Sequence, residues 1–260
     1  MATAASFRPS KPTLTTNDSA VLQALFDAES SPSSGVTIEE TLPQLPSHLN
    51  ISPEEHAYLQ LREREVISTL SSTPNPTPEA IQSAIKELDG LIQSHPTYPS
   101  AYANRAQALR LLLEPTSSQD DTLTGSSLSL FSHENTAYLS TLLSDLNQAI
   151  SLSTPSSPAD PLSPFQARLL ADTHTHRAYL LLKVSRHLKS NQNNEAELEG
   201  VPSRLRDLGP EGLEEMASRD FFFGGRYGNK VAQQMAVQTN PYAKMCGAIV
   251  KEAMKKEIEG

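Results

Sequence analysis

The stretch from Pro99 to Leu113, P-S-A-Y-A-N-R-A-Q-A-L-R-L-L-L, restricts the fold of this chain more than any other. Small residues stand at Ala101, Ala103, Ala106 and Ala108, and large apolar ones at Tyr102, Leu109 and Leu112. After an intervening segment, S-D-L-N-Q-A-I-S-L at Ser144 to Leu152 repeats Leu146, Ala149, Ile150 and Leu152 at helical spacing. Alternating small and large side chains at i, i+3 and i+4 let two antiparallel helices approach closely and interlock.

Similar hairpins flank this one. Ser52-Pro53-Glu54-Glu55 is a strong helix start, with a capping serine, proline at the first helical position and two acids. That helix is predicted to reach Leu70 with Tyr58, Leu61, Ile67 and Leu70 inward. Thr77 or Pro78 opens a second helix through Ser94, with Ala80, Ala84, Leu88 and Leu91 as its tight face, and His95-Pro96 ends it. A long helix is expected from about Phe165 to Leu188, with Leu169, Leu170, Tyr179, Leu181 and Leu182 as candidates for burial. Pro210 opens its partner, which runs through Phe223 to a stop at Gly224-Gly225. The pattern is that of tetratricopeptide hairpins, in repeats at about 52–96, 99–154 and 162–223. The predicted fold is an all-α, right-handed superhelix of three hairpins, with capping helices over 229–259. Together they form a repeat domain over 52–260.

The segments between and before the helices are poor in apolar residues. The first sixteen residues are Ser/Thr-rich with Arg8 and Lys11 and no acid. They share that composition with organelle transit peptides but make a poor amphipathic helix, and read as a disordered arm. Residues 17–29 form a docking helix, capped by Asn17 or Asp18, with Val21, Leu22, Leu25 and Phe26 on one stripe. Residues 30–51 read as a linker. The insert at 114–134 reads as a mobile surface loop and a candidate phosphorylation target. Residues 190–202 read as polar and loose.

A net charge of −9 argues against nucleic acid or an anionic membrane as partner. Cys246 is the single cysteine, so no internal disulfide can form and a reducing compartment is expected. No run approaches the ~18 apolar residues of a membrane span, and the N-terminus lacks a secretory core. The expected location is cytoplasmic, with the nucleus left open.

Little in the chain suggests catalysis. Asp172-Thr-His174-Thr-His176-Arg177 concentrates metal-type ligands. On a helix, His174 and His176 point about 200° apart, and Asp172 with His176 makes only two ligands. Gly224-Gly225-Arg226-Tyr227-Gly228-Asn229-Lys230 resembles a phosphate loop but lacks the spacing and follows a helix; cap and turn glycines explain it. An anion at the helix start near Asn229 is the other reading. Cys246 sits among Met245, Ala248 and Ile249 as a packing thiol. No cofactor, metal or catalytic residue is expected; a metal- or anion-dependent enzyme is the most distant reading.

Four pieces in this order resemble the tetratricopeptide repeat protein 36 family. They are N-D-x-A-V-L-Q-A-L-F from Asn17, A-Y-x-N-R-A-Q-A from Ala101, D-L-x-x-A-I-x-L from Asp145 and N-P-Y-A-K-M-C from Asn240. The first and last lie outside the repeats and are the more specific. The insert at 114–134, the break near 160 and the tract near 190–202 depart from the family pattern. The resemblance implies a small three-repeat binding protein, linked to tyrosine breakdown by protecting 4-hydroxyphenylpyruvate dioxygenase from turnover. It also implies a second possibility, a cofactor of Hsp70-type chaperones.

A partner groove in such repeats is lined by the first helix of each hairpin, which here supplies Arg62, Tyr102, Asn104, Arg105, Asp172, His176 and Arg177. Chaperone-binding repeats resemble one another in a Lys/Arg and Asn clamp for a C-terminal carboxylate pair. Asn104 matches the clamp asparagine of the second repeat and Arg62 the first basic position. Val66 replaces a second asparagine, and Asp172 and His176 replace two basic residues. A carboxylate at Asp172 would repel such a ligand. Asn104 has an alternative role, bridging neighbouring helices.

Overall fold

Among the described residues, four helices begin with proline at the first helical position, where a missing N–H costs nothing. A computed structural model describes residues 36–72, 74–114, 130–157, 159–191, 194 and 198–240. Among the described residues there are seven α-helices and no β-sheet, only an isolated bridge. They are α1 (Pro53–Ser71), α2 (Pro78–Ser94), α3 (Pro99–Leu113), α4 (Thr136–Ser153), α5 (Pro164–Ser190), α6 (Ser203–Arg226) and α7 (Lys230–Thr239).

The helix starts follow local chemistry. Ser52, Thr77, Ser163 and Asn229 each accept a backbone N–H from the first turn, at 3.1, 3.3, 3.1 and 3.0 Å. Each helix then packs chiefly on its neighbour in sequence, α1 on α2, α2 on α3 and so on to α7. The most extensive of these contacts joins α5 to α6. The main core lies between α3 and α7, around Leu109, Leu113, Leu139, Leu142, Leu146, Leu180, Leu181, Leu213 and Phe221. Each such burial contributes about 1.5–3 kcal/mol before chain entropy is counted.

Several expectations need correction, among them the burial of Tyr179, which is 41% exposed. In α1 the buried residues are His56, Leu59, Glu63 and Val66, whereas Tyr58 and Leu61 are 55% and 53% exposed. Ile67 and Leu70 are half-buried, Leu70 packing beside Val66, Ile81 and Leu88, and the buried stripe itself carries a glutamate, Glu63. Residues 36–50 do not hang as a linker. Leu45 and Leu49 are buried, Ile38 pairs with Leu162 as a parallel bridge, and Ser163 Oγ donates to Gln44 O at 2.7 Å. The end of the insert is core rather than loop: Leu130 and Phe131 are buried, and the Phe131 ring lies 4.2 Å from that of His187. Phe131 also meets Gly200 so closely that a Cβ there would stand 1.5 Å from the Phe131 carbonyl oxygen, so the 190–202 tract ends in tight packing.

A further correction concerns α6. It begins at Ser203, bends at Gly209 (φ 68°, ψ 168°) ahead of Pro210, and continues through Gly224 and Gly225. Those glycines do not stop the helix. They let it touch its neighbours: a Cβ on Gly224 would lie 2.6 Å from Thr175 Oγ1 and 3.0 Å from Ala232 Cβ. The turn itself is made at Gly228, φ 107°. The expected arm at 1–16, the docking helix at 17–29, most of the 114–134 insert and the cap beyond Asn240, with Cys246, lie outside the described residues.

Candidate functional site

Two arginines tie the hairpins together in the same way. Arg105 on α3 donates two hydrogen bonds to the Asp145 carboxylate on α4, Nε to Oδ2 at 2.8 Å and Nη2 to Oδ1 at 2.5 Å, and a third to Asp89 on α2 at 2.6 Å. Arg177 on α5 grips Asp220 on α6 at 2.7 and 2.6 Å and reaches Asn147 on α4 at 2.5 Å. Each guanidinium therefore spans its own hairpin's second helix and that of the preceding hairpin. The sequence carries the repeat: Asn104-Arg105-Ala106 against His176-Arg177-Ala178, and Leu88-Asp89 against Leu146-Asn147. A planar fork suits this two-sided role, which lysine could not fill.

Electrostatics at the two locks differ. Burial pushes the Asp145 carboxyl up despite Arg105. Burial would also raise Asp220, but bonds from Arg177 and His174 overcome it and hold the carboxyl below its usual range. His174 donates from Nδ1 to Asp220 at 2.8 Å, and its ring stacks on Tyr227 and tilts against Phe223.

A third polar centre, not anticipated from the sequence, is Glu63. Its carboxylate is buried in α1 and accepts Tyr98 Oη and Ser100 Oγ, both at 2.9 Å, and the amide of Asn104. Desolvation raises its pKa and outweighs the three donors. Burial, then the nearby Glu63 charge, raises that of Tyr98.

These contacts place the seven expected groove residues. Asn104 bridges α3 to α1, the second of its two possible roles, and Arg105 and Arg177 are held in the locks. Tyr102 donates to Pro96 O at 3.0 Å. Arg62 pairs with Glu65 one turn on, at 2.9 Å on the exposed face of α1. Asp172 is exposed and accepts the Asn229 amide at 3.3 Å. His176 turns inward: its Nε2 is buried without a hydrogen-bond partner, and burial with the Arg110 charge pushes its pKa down to about 3. The seven therefore do not converge on one surface. Among the described residues no group of three or more His, Cys, Asp or Glu side chains is placed to hold a metal ion, and no helix is long and apolar enough to cross a membrane.

Two clefts open between α4 and α6, with α5 as their floor. One, of about 390 Å³, has Ile150, Thr154, His174, Arg219, Phe223 and Tyr227 in its walls. The other, of about 640 Å³, has Ser140, Leu143, Asn147, Leu205 and Leu208. Arg177 and Met216 line both, so the clefts meet end to end.

No protein-family model and no solved structure matches the chain. The L-tyrosine degradation gene cluster protein hmgX of Aspergillus fumigatus is 61% identical over 260 residues, which is 100% of this chain and 99% of that protein. Identity of that extent, carried end to end, shows kinship: the chain belongs to the family of the tyrosine degradation gene cluster protein hmgX.

Proposed function

We propose that this chain is a non-catalytic protein-binding scaffold or adaptor in tyrosine breakdown, built as a tetratricopeptide-like right-handed superhelix. The observation that carries the reading is the full-length 61% identity to a protein named for a tyrosine degradation gene cluster. The resemblance of the four sequence motifs to the tetratricopeptide repeat protein 36 family points the same way. Serial packing of neighbouring helices and the recurring arginine lock support the repeat architecture. The client is an enzyme of the pathway, with 4-hydroxyphenylpyruvate dioxygenase the one the resemblance implies, and the setting is cytoplasmic. The chaperone-cofactor reading has less support, because Asn104, the would-be clamp residue, gives its amide to Glu63.

The test is made in the producing organism grown on tyrosine. Affinity capture of the tagged full-length chain, read by mass spectrometry, should enrich a tyrosine-catabolic enzyme. Deleting the gene should shorten that enzyme's lifetime without changing its transcript. Unchanged lifetimes for every enzyme of the pathway would overturn the reading.

A further inference from the structure

The paired clefts form one groove whose dimensions and position relative to the chain match a particular occupant. Along α4 and its cap, the lining residues Ser140, Leu143, Asn147, Ile150 and Thr154 recur every three or four positions. That single stripe is about 22 Å long at 1.5 Å per residue. The opposite wall carries large apolar side chains in water, Met216 at 40% and Leu208 at 44% exposed. The break at Gly209 separates the part of α6 bearing Leu208 from the part bearing Met216.

The described chain starts at one end of this groove. Val36 packs on Leu162, Ala167 and Leu170 beside Ile150 and Tyr227, and both of the latter line the nearer cleft. The six residues 30–35 can span at most about 20 Å, enough to enter the groove and too little to reach far beyond it. Preceding them is Asn17 to Glu29, whose length as a helix is about 20 Å. Its apolar stripe, Val21, Leu22, Leu25 and Phe26, is one helix face. It holds Asp18, Asp27 and Glu29 and no base. The groove presents Arg177, Arg204 and Arg219 against Asp207 and Asp220, a basic balance in a chain of net charge −9.

We propose that residues 17–29 seat as an amphipathic helix in the α4–α6 groove of their own chain, covering Met216 and Leu208. Phe26 lies at the Ile150–Tyr227 end and Val21 toward Leu208, since the chain enters from Val36. The mode is that of a helix laid in an apolar groove, supplied here in cis. The short tether gives the segment a high effective concentration at the groove. This assignment stands apart from the role in tyrosine breakdown and does not need it.

The chain has no tryptophan, so one substitution provides a reporter. Phe26→Trp in the full-length protein should give a blue-shifted emission with iodide quenching reduced several-fold from that of a free indole. Leu22→Trp, farther along the stripe, is the second reporter, in case the larger ring does not fit at the first position. Adding Met216→Glu with Leu208→Glu should return either reporter to solvent-exposed emission, with helical circular dichroism unchanged. Met216→Gln serves as the groove variant if the double substitution unfolds the protein. Solvent-like emission from both reporters in the otherwise native chain would overturn the proposal. So would a blue shift indifferent to the groove variants, or one that disappears on dilution, which would place the segment on a second copy.

Discussion

The first and third hairpins each bury a carboxylate between helices, and they neutralise it by opposite means. Glu63 is surrounded by neutral donors, two hydroxyls and an amide, and among the described residues no cation bonds to it. Asp220 sits in the fork of Arg177 with His174 beside it. The carboxyl pKa moves up in the first case and down in the second. The packing differs in the same sense. Gly90 on α2 has open space where a Cβ would be, while Gly224 on α6 has none. The third hairpin is thus a rigid joint, and the first is held by weaker and more replaceable bonds.

Removing one partner from each centre tests this most severely. Arg177→Met leaves Asp220 buried with His174 as its remaining partner and without the arginine charge, and should cost about 3–5 kcal/mol in denaturant titration. Tyr98→Phe removes one of three donors to Glu63 and should cost about 1.5–3 kcal/mol. Equal losses would erase the distinction between the joints.

The glycine pair comes next. Gly224→Ala forces α6 away from Thr175 and Ala232 and should destabilise by about 1–3 kcal/mol. Gly90→Ala meets nothing within 4 Å and should stabilise α2 by about 0.5–1 kcal/mol. Melting midpoints of the two variants should lie on opposite sides of the parent's. A stabilised Gly224→Ala would mean that α6 is not pressed against α5 and α7.

The smallest effect is a difference in pH dependence. His176, pushed down to about 3, stays neutral in the folded chain while the unfolded chain takes up a proton. Its contribution is therefore lost as pH falls from 6.5 toward 3. Glu63 has a raised pKa, so the folded state holds its proton more tightly, and stability is lost as pH rises above the ordinary 4.5. Relative to the parent, His176→Asn should gain stability on acidification, and Glu63→Gln on moving from acid to neutral pH. Melting curves across pH 4 to 7 read both, in the range where side-chain carboxyl and imidazole groups titrate. Parallel trends would break the contrast.

Where the sequence was informative, the signal was local. Ser52, Thr77 and Asn229 marked helix starts because a cap needs only its own first turn. The small-large pattern around Ala101 to Ala108 located α3 because helix packing repeats every few residues. What stayed hidden depends on distant partners. Nothing near Glu63 in R-E-R-E-V announces Tyr98, Ser100 and Asn104, so a stripe of apolar residues in the sequence passes the acid by. The arginines were visible as residues, but their carboxylate partners lie 40 and 43 positions away. Gly224 read as a stop because the crowding that requires it comes from α5 and α7.

The bridge from Ile38 to Leu162 has a consequence beyond its two hydrogen bonds, Glu39 N–H to Leu162 O and Leu162 N–H to Thr37 O, both at 2.9 Å. A stack in which each unit touches only its neighbours can melt from either end, one unit at a time. Here the segment before the first hairpin is buttoned to the entrance of the third, and Leu45 and Leu49 pack with Leu59, Tyr98 and Phe165 across all three. The contacts make the array less a row of dominoes than a closed clasp: peeling the first hairpin away breaks the strap's hold on the third, so the two hairpins should unfold in one transition.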